Sequence, residues 1–76
     1  MARKLSNQAH TMTRTSDGRV FSVWAPTERA ARRAVFYSAV DNSGAPKREA
    51  NTFADSFDVG TPATFGAFTY LIERTP

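Results

Sequence analysis

The sequence predicts an α+β fold: a small antiparallel β-sheet with one α-helix packed on one face, in the order β-β-α-(β)-β. Three observations predict it. Asp17-Gly18 stands between two strand-like runs, Thr27-Glu28 opens a stretch of Ala and Arg, and residues 67–74 form an aromatic and β-branched run. The first is a hairpin signal, the second a helix start and the third a strand signal.

The hairpin comes first. Asp-Gly serves a two-residue turn because both positions tolerate positive φ. The flanking strands are residues 10–15 and 19–25, the first expected at the sheet edge. With a two-residue loop Met12 lies opposite Val23, and Thr11 opposite Trp24. Side chains alternate across a strand, so Phe21 and Val23 share one face while Val20, Ser22 and Trp24 share the other. The Met12, Phe21 and Val23 face is the expected core face.

Pro26 ends the second strand. Thr27 is placed to cap a helix, with Glu28 at the positive end of its dipole. The following residues, Arg29-Ala30-Ala31-Arg32-Arg33-Ala34, are good helix formers. The helix is expected to run to about Val40 and to stop at Asp41-Asn42-Ser43-Gly44. Its small face (Ala30, Ala31, Ala34, Val35, Ser38) suits close packing on a sheet, and Arg29, Arg32, Arg33 and Phe36 fall opposite it.

Residues 41–66 are punctuated by Pro46, Gly60, Pro62 and Gly66. Ala50, Phe53, Ala54 and Phe57 have helical spacing, but Asn51, Thr52, Asp55 and Ser56 are poor helix formers. Phe53, Phe57 and Val59 also fit one face of a strand. The expectation is a long loop holding a short strand. The strand at 67–74 then places Phe68, Tyr70 and Ile72 on one face.

The domain organisation read from this is a flexible basic arm at residues 1–8 and a single small domain at 9–76. A chain of 76 residues buries only about 60% of the surface of its unfolded form. That supports one thin core and leaves little room for a deep substrate cleft. Hydrophobic residues at 41% and charged residues at 22% are ordinary globular values. With no Cys, disulfides and thiolate metal sites are excluded. No apolar run approaches the roughly 20 residues that span a bilayer. The basic start, Met1-Ala2-Arg3-Lys4-Leu5-Ser6, lacks the apolar stretch of a secretory signal. A cytoplasmic protein is the expectation.

The net charge of +3 is unevenly spread. Residues 1–40 hold seven basic side chains against two acidic ones; residues 41–76 hold three against five. A basic half draws acidic proteins or phosphates, or simply keeps a small domain soluble.

Catalytic signatures are lacking. The single His10 has no clustered partner for acid–base work, and one His without Cys makes none of the standard zinc sets. No phosphate-binding glycine loop or nucleophile elbow occurs. The expectation is a protein without catalytic residues, metal or cofactor, and not an enzyme.

Binding features are clearer. Arg29, Arg32, Arg33 and Phe36 recur at i, i+3, i+4 and i+7, setting three guanidiniums around one ring. Guanidiniums grip carboxylates or phosphates in two-point fashion, and an aromatic among them is common at interface hot spots. The plainer reading is a solvated face in which Glu28 pairs with Arg32, with Phe36 tucked under the following loop. Trp24 is a second candidate anchor, unless Phe53 or Phe57 covers it. Arg3 and Lys4 on the arm are a third element, or no more than a plain polar terminus.

A polar basic start (Met1-Ala2-Arg3-Lys4-Leu5-Ser6-Asn7) precedes a hairpin built on Asp17-Gly18-Arg19-Val20-Phe21-Ser22-Val23-Trp24 and a helix on Thr27-Glu28-Arg29-Ala30-Ala31-Arg32-Arg33. In this style the chain resembles small phage-encoded viral proteins that bind host machinery, some of which bind bacterial RNA polymerase and block or redirect transcription. No site residue transfers from that resemblance. It implies a transcription regulator or inhibitor in the bacterial host cytoplasm. The leading expectation is a monomeric binding protein that engages an acidic surface of a host complex such as RNA polymerase, away from membranes. Its basic face would comprise Arg29, Arg32, Arg33, Arg3 and Lys4, with Trp24 or Phe36 as apolar anchor. Alternatives are a nucleic-acid-binding domain using the same arginines on phosphates, and a structural subunit of a viral assembly.

Overall fold

The computed structural model describes residues 4–76. The chain forms β1 (His10–Ser16), β2 (Arg19–Ala25), α1 (Glu28–Ser43), α2 (Lys47–Ser56), β3 (Ala63–Phe65) and β4 (Phe68–Arg74). The four strands make one antiparallel sheet in the order β2-β1-β4-β3, and both helices lie on the same face. The α+β class is as expected, with a second helix added.

The hairpin turns on Asp17 and Gly18, both at positive φ (52° and 77°). This is the mirror-image turn whose twist suits paired strands. Its register sets Met12 opposite Val23 and Thr11 opposite Trp24, as the loop length dictates. β1 is not an edge strand, because β4 pairs along its other side. The interior position encloses His10, which is buried with its Nδ1 2.7 Å from the Gln8 carbonyl oxygen.

α1 starts where Thr27 Oγ1 accepts the Ala30 N–H at 3.1 Å. It runs three residues past Val40, to a left-handed Gly44 whose N–H reaches the Val40 carbonyl. Ala31, Val35 and Ala39 are fully enclosed on its inner side, and Ala31 and Val35 join the core of Met12, Tyr70 and Ile72.

The segment expected to be a loop contains α2. Its cap, Pro46, makes no side-chain hydrogen bond, so local signals do not start it. Burial does. Ala50 and Ala54 pack inward, Phe57 closes the end, and Phe53 rests on Phe65 and Tyr70 with ring centroids 4.9 and 5.7 Å away. Packing of an apolar face outweighs the few tenths of a kcal/mol per residue by which Asn51, Thr52, Asp55 and Ser56 disfavour a helix. A short strand does occur in this region, β3, but at Ala63–Phe65 and not at Phe53, Phe57 and Val59, which lie on α2, at its end and in the turn after it.

Phe21 departs from expectation. It shares the helix-covered side of the sheet with Met12, yet is 48% exposed, because it lies on the outermost strand. Its ring instead meets the Arg14 guanidinium at 4.7 Å, and Phe68 flanks the same group at 5.1 Å.

Candidate binding surface

The arginine stripe of α1 is divided by the packing of α2. Arg32 is only 3% exposed. Its Nε donates to Glu28 Oε2 at 2.8 Å, its Nη1 donates to the Ala54 carbonyl at 2.8 Å, and its guanidinium lies 5.3 Å from the centre of the Phe57 ring. Glu28, itself buried, also accepts the Ser6 N–H at 3.0 Å, while the Glu28 N–H donates to the Ser6 carbonyl. Arg32 and Glu28 therefore join the N-terminal segment, α1 and α2 into one unit. The assignment of Arg32 to a partner-binding face is corrected: it is a structural residue. The i,i+4 pairing with Glu28 was visible in the sequence. The helix that desolvates it was not.

Arg29 and Arg33 remain on the outside of α1. They flank a groove of about 310 Å³ between α1 and α2, lined also by Leu5, Phe36, Asn51, Ala54 and Asp55 and, although it is almost wholly buried, by Arg32. Lys4 and Arg29 border the adjoining hollow beside Thr27. Arg33 Nη2 donates to the Tyr37 hydroxyl at 2.9 Å, which extends the guanidinium along the helix surface. Phe36 is half-buried, packs against the core and meets Tyr37 edge-on at 5.3 Å. Of the expected residues, Arg29, Arg33 and Phe36 lie along this groove and Lys4 along the hollow next to it. Arg3 lies outside the described residues. Tyr37, half-exposed beside Arg33, is an addition; it sits at i+4 from Arg33 and could have been read from that spacing.

Trp24 is 63% exposed, so neither Phe53 nor Phe57 covers it. It does not join the arginines. Trp24 pairs with Thr11, whose side chain points away from the Met12 face, so Trp24 stands on the open side of the sheet. The same face carries Val20, Leu71, Thr11, Thr13 and Thr15, and among the described strand residues Glu73 is the one charged side chain on it. The described residues therefore carry two distinct surfaces: one with Arg29 and Arg33 on α1, and one on the sheet that is mostly apolar and Thr-rich with a single carboxylate, Glu73.

Arg14 is also turned inward. Between Phe21 and Phe68, it donates from Nη1 to Ser38 Oγ at 3.0 Å. No group of three or more His, Asp or Glu side chains that could hold a metal ion occurs among the described residues. No helix of the described residues is long and apolar enough to cross a membrane. Comparison with family models, curated proteins and solved structures finds no match.

Proposed function

We propose that the chain is a non-catalytic binding module that engages an acidic segment of a larger complex through the outer face of α1. The observation that carries this reading is the groove between α1 and α2, with Leu5 and Phe36 among its walls and Arg29 and Arg33 at its margin. At about 310 Å³ it is at the small end of ligand sites. It suits one or two apolar side chains, while the guanidiniums hold flanking carboxylates. Such an arrangement steers association and gives specificity. Asp55, on the opposite wall, narrows the positive stretch to the α1 side. Bacterial RNA polymerase is the first complex to test, because the chain resembles phage proteins that bind it; the role in transcription rests on that resemblance alone.

A nuclease-treated pull-down from bacterial lysate, read by mass spectrometry and repeated with the purified complex, tests the proposal. The comparison is wild type beside an Arg29→Ala/Arg33→Ala double variant. Arg32 is left intact, since its removal would disturb the fold. The proposal expects a defined complex on wild type and at least ten-fold weaker retention by the variant, about 1.4 kcal/mol. Retention within two-fold would overturn it. Binding to phosphates instead would fall steeply and linearly with salt on logarithmic axes and would not survive nuclease.

A further inference from the structure

The two edges of the sheet are unlike. β3 is three residues long and follows Pro62, which blunts it as a pairing edge. β2 is seven residues long, contains no Pro, Lys, Asp or Glu, and pairs only with β1. Three of its five exposed side chains are large and apolar, Val20 at 67%, Trp24 at 63% and Phe21 at 48%, the other two being Arg19 and Ser22. The two-residue turn directs the Arg19 N–H to the Ser16 carbonyl. By alternation, the main-chain groups of Arg19, Phe21, Val23 and Ala25 point to β1, and those of Val20, Ser22 and Trp24 point out of the sheet. Among the described residues no other element hydrogen-bonds these three.

We propose that β2 is a self-association edge at which a second copy of this chain pairs antiparallel, centred on Ser22. A two-fold axis normal to the sheet at Ser22 places Val20 opposite Trp24 of the second copy, Phe21 opposite Val23, and Arg19 opposite Ala25. Exposed apolar side chains then meet one another on both faces. Three outward N–H groups on each copy find three carbonyls on the other, giving about six hydrogen bonds. Neighbouring registers are poorer. Centring on Val23 sets Val20 against Pro26, which has no N–H, and centring on Phe21 sets Trp24 against Gly18 of the turn. Charge permits the pairing: the two Arg19 residues stand about 20 Å apart along the strands, beyond the screening length of about 8 Å at physiological salt. Space permits it too. α1 lies over β1 and touches the strands on either side. The two α1 helices would thus be about three strand spacings, roughly 14 Å, apart, more than the 8–10 Å or so of packed helices. The product is a continuous eight-stranded sheet from two four-stranded ones. This surface is separate from the α1 groove, so the two proposals fail independently.

Sedimentation equilibrium from low to several hundred micromolar chain tests the association, and single cysteines in this Cys-free chain test the register. Wild type is expected to sediment at twice the monomer mass at the upper concentrations. Ser22→Lys sets two like charges face to face at the axis and is expected to weaken the dimer at least ten-fold. Ser22→Pro removes only an outward N–H, which an edge strand tolerates, and is expected to do the same. Both variants should keep the wild-type circular dichroism. Ser22→Cys places its Cα atoms about 5.5 Å apart, within disulfide range. Val20→Cys leaves them about 14 Å apart. Oxidation should therefore cross-link the first variant and not the second. A monomer throughout the range, a dimer that folded Ser22→Lys or Ser22→Pro leaves unchanged, or equal cross-linking of the two cysteine variants would overturn the proposal.

Discussion

Ser38 shows how much one small side chain can organise. Its Oγ lies 3.0 Å from Arg14 Nη1, 3.1 Å from Asn42 Nδ2 and 2.8 Å from the Tyr70 hydroxyl. Arginine and the amide nitrogen can only donate, so Ser38 accepts twice and gives its single proton to Tyr70. Every bonding position of the hydroxyl is then used in a buried setting. Ser38→Ala strips a partner from each neighbour, and its expected cost is about 1–3 kcal/mol in denaturant unfolding. The Thr27 cap is simpler: Thr27→Ala should cost about 1 kcal/mol and Thr27→Ser much less, because Ser can still accept the Ala30 N–H. Thr27 was legible in the sequence as a cap. The Ser38 network was not, since it joins residues 24 and 32 positions apart whose meeting depends on the sheet register.

Elements announced by local chemistry were legible. Asp17-Gly18 determines both the hairpin and its register, and Thr27 and Gly44 bound α1. α2 was obscured because its reason to be helical is not local. Ala50, Phe53, Ala54 and Phe57 gain from helical spacing only when α1 and the sheet stand ready to receive them. Two consequences follow at this scale. Ala54→Leu should push α2 away from α1 and the Arg32 contact, at a cost of about 1–3 kcal/mol from overpacking. Gly44→Ala has open space for its Cβ but sits at φ 63°, so backbone strain alone should lower stability by about 1 kcal/mol, measured by thermal unfolding.

At the scale of the whole molecule, the placement of elements decides what each basic residue is for. A helix wheel treats Arg29, Arg32 and Arg33 as equivalent. The packed molecule does not: all three border the groove, but Arg32 is buried and bonded to Glu28 and α2, while Arg29 and Arg33 stay exposed. The same assembly separates Trp24 from the arginines, and it buries His10 by making β1 an interior strand. The candidate site was therefore legible as a set of residue types and misread as a single surface. Strand order and the second helix are non-local facts that periodicity does not carry.

The division of the three arginines is the central claim, and thermal unfolding of Arg29→Ala, Arg32→Ala and Arg33→Ala side by side tests it most directly. Removing one member of a buried ion pair costs about 3–5 kcal/mol. In a domain of this size each kcal/mol lowers Tm by roughly 4–8 °C, so Arg32→Ala should melt at least 12 °C or so below wild type, or fail to fold. Arg29→Ala and Arg33→Ala should stay within about 0.5 kcal/mol of wild type, as exposed positions do. Three variants with the same small loss would contradict the account and return Arg32 to the surface stripe.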